Sequence, residues 1–457
     1  MHTFDSLRRT YPVFAYDSYS ITCVPEGVRL SFDFSIDGLC AFHPQTIIYT
    51  NDLPVCNAFD APAAQAIVYA LGLVEAVSYY KAACPPVFEV RCGNLTGAQK
   101  RWWKKLWYNG LGEFFFRNGI ETSEADFTQI RCPENYRTPE CDFRASGAHI
   151  VPIGGGKDSA VTLSLLQKEI DHIYGFTVND QPARTDTAKA AGLPLTRVIR
   201  TRRTIDPELL RLNREGFLNG HTPFSAIVAF LSLYCAYLIG AENIVLSNES
   251  SANESTVAGS DVNHQYSKSY TFERDFTDYV RDYIGLPTRY FSLLRPFNEM
   301  QIARQFAALP QYHAVFRSCN AGSKQNIWCG KCAKCLFVYS ILSPFLSEEA
   351  LRGIFGENLL DKASLQADFD GLCGIADVKP FECIGTVHEV QCALCRTAAQ
   401  YTAQGKPLPV LLQRFMDTHP SPAGDPLTAF NDEHNVPQAF IPYIEEMARY
   451  VRSDSLS

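Results

Sequence analysis

The chain carries no surplus of positive charge: 41 lysines and arginines stand against 49 aspartates and glutamates in 457 residues, a formal charge of −8. Such a balance gives no general attraction to nucleic acid or to an anionic membrane, so any polyanion must be held by a local site. The start, "MHTFDSLRRTYPVFAYDSYS", lacks the apolar stretch of roughly 7 to 15 residues that a secretory leader needs. No later segment reads as a membrane span. The nearest approach, "PFSAIVAFLSLYCAYLIG" at 223–240, is broken by serines and runs directly into strand-like "ENIVLS", which predicts a buried helix in an α/β layer. Repeats of fixed period and low-complexity tracts are also missing. These absences together predict a cytoplasmic small-molecule enzyme with neither nucleic acid nor membrane as partner, in at least two domains.

What the chain has in quantity is cysteine, 16 in all. In a reducing compartment disulfides are not expected, so the spacing carries the information. Cys319, Cys329, Cys332 and Cys335 are separated by nine, two and two residues. Two CxxC steps sharing Cys332, with one thiolate upstream, can surround a tetrahedral Zn2+. Four protein ligands leave no open position, so the role predicted is structural. The alternative is a set of reduced core thiols, since "CLFVYSIL" opens an apolar helix. A looser group, Cys373, Cys383, Cys392 and Cys395, reads as separate thiols because its gaps are long. Within it Cys383, in the polar stretch "KPFECIGTVHEV", is a candidate exposed nucleophile or base.

Along the chain, residues 1–145 alternate as short strands ("EGVRLSFDFSI", "AFHPQTIIYT") and then become apolar helices, an α+β module. Its stretch "QKRWWKKLWYNGLGEFFFRNG", residues 99–119, interleaves bases with aromatics in a way that suits stacking on nucleic acid. Trp103, Leu106, Trp107, Phe114 and Phe115 also recur at helical spacing, however, and a core-facing helix is the expectation. From 146 to 300 the order becomes strand, turn, helix, strand, which predicts a parallel sheet with crossover helices. Ligands then belong beyond the strand ends, where the loops after Ile153, Val178 and Leu246 gather. Residues 301–457 are cysteine-rich and mostly helical, with an extended excursion, "THPSPAGDPLTAFNDEHNVP", before a final helix.

The junction "VPIGGGKDSAVTLSLL", residues 151–166, concentrates the chemistry. A Walker loop needs glycine five residues before its Gly-Lys pair and Ser or Thr after it. Val151 and Asp158 occupy those places. The continuous Gly154, Gly155 and Gly156 also fail the dinucleotide fingerprint. What remains is a turn without side chains, whose backbone N–H groups and following helix N-terminus can point at one anion. Lys157 adds a mobile positive charge and Ser159 a hydroxyl donor. Asp158 would repel phosphate unless a cation intervened, which points to Mg2+ between carboxylate and phosphates. Ala160, Leu163, Leu166 and Ile170 give the helix its buried face, and Asn179 follows the next strand as a further nucleotide-binding candidate. An ordinary glycine turn with Asp158 as a helix-dipole partner is the alternative.

"GGGKDS" resembles the pyrophosphate loop, Ser-Gly-Gly-x-Asp-Ser, of the N-type ATP pyrophosphatases (PP-loop superfamily), with Gly154 in place of the first serine. "HTPFSAIVAFLSLYCAYLIGAENIVLSNES", 221–250, is similar to a helix and strand of the deazaguanine-synthesising branch, whose Arg-Asn is not kept here, and the four cysteines look like that branch's structural zinc site. The resemblance implies an adenine nucleotide alpha hydrolase-like core that binds ATP and Mg2+ and leaves AMP on an acceptor oxygen.

"KKLWYNGLGEFFFRNGI", "SNESSANES", "CGKCAKCLF" and "KPFECIGT" extend the resemblance over most of the chain, to the epimerase family of peptidoglycan synthesis that acts on UDP-N-acetylmuramoyl-L-alanyl-L-glutamate. It implies that the terminal L-glutamate becomes D-glutamate through an acyl adenylate, with AMP and diphosphate released. Two opposed acid/base groups are then needed. Cys383, Glu249, Glu254 and His264 are the candidates, the last three from a polar loop, 247–270, expected to be exposed; the N-terminal module can hold the UDP-sugar. The alternatives are a PP-loop ligase of the deazaguanine or tRNA-modification type, or a nonenzymatic zinc and nucleotide module.

Overall fold

Strict alternation shapes the first third of the chain. The structure, a computed structural model, describes residues 2–253, 266–376, 379–380, 382 and 384–453. Strand β1 (Val13–Val24) runs antiparallel to β2 (Gly27–Ile36), which also pairs β3 (Cys40–Phe42) and β4 (Gln45–Tyr49). In β2, Val28, Leu30, Phe32, Phe34 and Ile36 are buried while Arg29, Ser31, Asp33 and Ser35 are half-buried, the period-two signature of a sheet covered on one side. The cover includes helix α1 (Pro62–Glu75), which opens on proline and lies so close to β1 that a Cβ on Gly72 would stand 1.9 Å from the Tyr16 hydroxyl. Only glycine permits that approach. Strand β5 (Val87–Val90) runs parallel to β1.

Helix α2 (Gly97–Gly110) starts with a Thr96–Gln99 capping box and carries the aromatic-basic stretch. Trp103, Leu106 and Trp107 are at most 1 % exposed, and the two indoles donate to Tyr279 Oη (3.1 Å) and Leu73 O (3.1 Å). Phe114 and Phe115 are buried in the short helix that follows. These rings are core, as their spacing predicts, and are not free to stack on bases. Strand β6 (Gln129–Arg131) pairs β5 in parallel.

The second third winds as β7 (Ala148–Pro152), α3 (Lys157–Leu166), β8 (Ile173–Val178), α4 (Pro182–Ala190) and β9 (Val198–Thr204). It continues through α5 (Phe224–Ile239) and β10 (Ala241–Leu246) to β11 (Arg289–Ser292). The strands β11-β10-β7-β8-β9 are parallel in that order, so the winding reverses between β7 and β10. The crevice at such a reversal, beyond the strand ends, is where open α/β sheets take ligands. Beyond β9 the sheet continues without a break: β4 pairs β9 antiparallel, giving eleven strands among the described residues.

Helix α5 has thirteen buried residues and stops at Gly240 in the left-handed region, φ +69°. It is a buried helix, as expected. Pro62–Tyr80, rather than α5, is the one span among the described residues long and apolar enough to cross a membrane, and it is 89 % buried within the fold. Helix α3 differs from expectation too: it ends at Leu166, before Ile170, and Val161, Thr162 and Leu165 are buried along with the predicted face. A helix enclosed on all sides has no periodicity to read.

Two apolar clusters lie on opposite faces of the sheet. Ile150, Phe176, Ile199 and Ile244 join the N-terminal strands, α1, α2 and α5. Val151, Ile173, Val198 and Val245 join α3 with the C-terminal helices α6 (Glu299–Ala307), α7 (Ala333–Leu342) and α8 (Val387–Ala403). The final helix, Ile441–Arg452, packs there as well.

Candidate functional site

The glycine loop lies at the reversal point, between the end of β7 and the start of α3. Gly156 is the N-cap of α3, and no side chain caps the helix, so its first N–H groups remain available. Gly155 has φ +86°, and a Cβ there would stand 2.9 Å from Ala183 Cβ; one on Gly154 would meet nothing within 4 Å. The loop is thus closed on its inner side and open on its outer side, the shape that a diphosphate cradle requires. Ser159 Oγ donates to Gly156 O at 3.2 Å. Asn179, in the adjoining loop after β8, has φ +62° and accepts from the Arg203 N–H at 2.8 Å, bridging β8 to β9.

Lys157 is not the mobile cation that the sequence suggests. It is 4 % exposed and its ammonium contacts both Asp158 and Glu299. Burial alone would lower its pKa, but Asp158 and Glu299 more than offset that, and the net shift is upward. Lysine was expected to reach outward because its stem is long; two acids hold it inward.

Glu299 opens α6 behind an Asn298–Gln301 capping box and is 2 % exposed. Its backbone N–H donates to Glu389 Oε1 at 2.6 Å, while Glu389 Oε2 accepts from the Thr386 N–H (2.7 Å) and hydroxyl (2.8 Å). Burial pushes the Glu299 pKa up; Lys157 opposes, and the charges of Asp158 and Glu249 push the same way as burial. Burial likewise raises Glu389, with Glu299 adding to it. Asp158 and Glu299 thus hold the buried Lys157 ammonium, while the charges of Glu249 and Lys334 bear on Glu299 from further off, with opposite signs. Gly385 fits this corner because a Cβ would lie 3.0 Å from both Glu299 Cβ and Glu389 Oε2. A cleft of about 510 Å3, lined by Ser250, Ser251, Thr386, His388, Glu389 and Thr428, opens beside the acids.

Glu249, expected on an exposed loop, is only 7 % exposed. Buried Arg295 donates to its carbonyl (2.8 Å) and to Lys268 O (2.6 Å), and pairs with Glu273 at 3.1 Å. Glu254, His264 and Cys383 lie outside the described residues. Neither Glu299 nor Glu389 stands out in the sequence: an acid in the first turn of a capped helix usually complements the dipole at the surface. The excursion after 418 also has a role its composition hides, since Pro426 O accepts from Asn298 Nδ2 at 2.7 Å and Ala429 O from Gln301 Nε2 at 2.8 Å.

The four cysteines gather as their spacing predicts. Cys319 and Cys332 sulfurs are 3.8 Å apart, Cys329 and Cys335 3.7 Å, Cys332 and Cys335 3.5 Å, and all lie within 4.8 Å of one another. A tetrahedron with metal–sulfur bonds of about 2.3 Å has edges of about 3.8 Å, so the set fits Zn2+. The cluster also braces the glycine loop: the Arg317 N–H donates to Gly155 O at 2.7 Å, and Ser318 Cβ would stand 3.5 Å from a Cβ on Gly156, immediately before Cys319. Cys373, Cys392 and Cys395 form no second metal-sized group among the described residues.

Residues 5–293 match the MurL N-terminal domain and residues 315–425 the MurL C-terminal domain. Three curated relatives match most of the chain, each named UDP-N-acetyl-alpha-D-muramoyl-L-alanyl-L-glutamate epimerase. The one from Xanthomonas oryzae pv. oryzae is 36 % identical over 83 % of this chain and 86 % of its own length. Those from Salinispora tropica and a Micromonospora species are 33 % and 34 % identical, over 85 % and 87 % of this chain and 85 % and 89 % of theirs. With its N-terminal sheet, its glycine loop and its cysteine cluster all inside the matched segments, the chain belongs to the MurL family.

Proposed function

We propose that this chain inverts the α-carbon of the terminal L-glutamate in UDP-N-acetylmuramoyl-L-alanyl-L-glutamate, at the expense of ATP. The isomerase class follows from the relatives, all of them named epimerases. The ATP step rests on one observation above the rest: an uncapped helix N-terminus behind a side-chain-free loop, at the reversal point of a parallel sheet, with carboxylates beside it. That combination suits a PP-loop nucleotide site: Gly154, Gly155, Gly156 and Ser159 would hold the phosphates, and Asp158 the Mg2+ that offsets their charge.

The chemistry explains why activation is needed. Removing a proton from the carbon next to an ionised carboxylate places a second negative charge on the same unit. Attack of that α-carboxylate oxygen on the α-phosphorus of ATP, with diphosphate leaving as the α–β bond breaks, would give an acyl adenylate, a mixed anhydride in which the first charge is gone and the Cα–H is more acidic. One base then takes the proton, a second group returns one to the opposite face, and water releases AMP and the D-glutamyl product. Glu249, whose charge bears on Glu299 and which immediately precedes Ser250 and Ser251 of the cleft wall, is the described candidate for one of these roles; Cys383, Glu254 and His264 remain candidates for the other. The cleft beside Thr386 and Glu389 receives the glutamyl end, residues 1–145 contribute to holding the UDP-sugar, and the four cysteines hold a structural Zn2+ that shapes the loop.

Incubation with substrate and MgATP in heavy water tests this. Deuterium is expected at Cα together with AMP and D-glutamate after hydrolysis. Exchange that continues without ATP would refute activation as the purpose of the loop.

A further inference from the structure

One side of the sheet is left open where β2, β4 and β9 run side by side. Arg29 on β2 is the Cα partner of Ile47 on β4, and Ile47 that of Arg202 on β9. Paired residues project from the same face, so the two arginines flank Ile47 with their Cα atoms two strand spacings apart, about 10 Å. The next register row, Ser31, Gln45 and Thr204, is uncharged and offers hydroxyl and amide groups that make no hydrogen bond among the described residues.

The charge on this face is distributed unevenly. Arg91 is shared among Asp17, Asp37 and Glu89, and Asp33 is held by His43 and Ser18. Arg200 lies over the Tyr49 ring. Arg29 and Arg202 have no carboxylate within ion-pair distance among the described residues, and Arg29 Nε is buried without any acceptor. A buried guanidinium N–H without a partner is costly, and in a chain of charge −8 acids for pairing are plentiful. Leaving these two donors unpaired makes sense where an anion arrives from outside.

The position relative to the glycine loop limits what that anion is. Val198 belongs to the cluster built on α3 and Ile199 to the opposite one, so Arg202, four residues after Val198, points to the side of the sheet on which Lys157 and Asp158 begin α3. It lies one residue past Thr201, the partner of Val178 at the end of β8, and therefore at the same end of the sheet as the loop. From β7 to β9 and on to β2 are two and four spacings, about 10 and 19 Å. Glutamate, alanine, a lactyl link and a pyranose ring separate the reacting carboxyl from the diphosphate of a UDP-muramoyl dipeptide, roughly 15 Å at about 3.5 Å per unit.

We infer that the open face of β2, β4 and β9 binds the uridine-diphosphate end of the substrate, with Arg29 and Arg202 gripping the diphosphate across Ile47. The inference rests on the proposed epimerase substrate and names the residues that recognise its nucleotide. Paired arginines suit diphosphate because each presents a planar fork of donors, and the hydroxyl-rich row beside them suits ribose and uracil.

Calorimetric titration with UDP, in the absence of ATP, tests it without any turnover. The intact protein is expected to bind UDP, Arg29→Ala and Arg202→Ala each to weaken it roughly 10- to 100-fold, and the double variant to lose it. Arg29→Lys is expected to recover part of the affinity, and melting temperatures not to fall, since Arg202 is exposed and removing Arg29 takes away a buried donor that has no acceptor. The KM for the full substrate rises in the same variants while that for ATP does not. Wild-type protein that ignores UDP, or single variants that bind it as well as the wild type, would overturn the inference. A failure of the proposed reaction is seen separately, as no AMP released by the wild type, and leaves the UDP titration interpretable.

Discussion

The two halves of the sheet solve burial differently. In β7, β8, β10 and β11 helices lie on both faces, whereas β2, β4 and the far end of β9 are covered on one face only. A strand covered on both sides can offer chemistry only where it ends, and there the glycine loop, Asp158 and the acids collect. A strand covered on one side offers its whole open face, and there Arg29 and Arg202 wait unpaired. Location of function follows from coverage: reacting groups at strand tips, recognition on the exposed surface.

The largest expected effect breaks the covered half. Asp158→Asn removes a carboxylate while preserving shape, and AMP release and Cα deuterium exchange should both fall by at least about 100-fold. Retained AMP release would remove Asp158 from the phosphate site. Next, Cys335→Ser takes one sulfur from a set fitted to a tetrahedral cation. Metal analysis is expected to fall from about one zinc per chain towards none, and melting to drop by on the order of 5 °C or more, since metal affinity in such sites is folding energy. Chelation of the intact protein should reproduce both effects.

Smaller changes probe the joins. Glu299→Ala deprives buried Lys157 of one of its two acids and is expected to cost about 3 kcal/mol in denaturant unfolding. At the seam between the halves, Arg203 on β9 reaches Glu75 on α1 with contacts of 2.6, 2.8 and 3.0 Å, both side chains at most 9 % exposed. Glu75→Ala should likewise cost roughly 3 kcal/mol, by stranding a guanidinium. The open face supplies the contrast: His43→Ala breaks the exposed pair with Asp33, and less than about 1 kcal/mol is expected.

How far the sequence discloses this arrangement depends on the range of each interaction. The strand, loop and helix around "GGGKDS" are contiguous, the cysteine spacing is local, and the tryptophans of α2 repeat on one helical face, so each is visible in a short window. The β4–β9 pairing joins residues 45–48 to 201–204, and no local pattern announces which distant strand will be the neighbour. Glu299 and Glu389 belong to the site because α6 meets Lys157 and α8 meets the start of α6, a tertiary fact that turns two ordinary first-turn acids into buried ones. Lys157 itself reads as mobile because sequence reports the length of a side chain and not the company it keeps.

The β4–β9 contact carries a practical consequence. Were the polypeptide made as two pieces divided near residue 145, β4 in one and β9 in the other would each be left with a row of unanswered backbone donors and acceptors along Gln45–Ile48 and Thr201–Thr204. Such raw borders invite indiscriminate strand addition, so fragments prepared apart would be prone to self-association, and co-production would be the route to recovering either in soluble form.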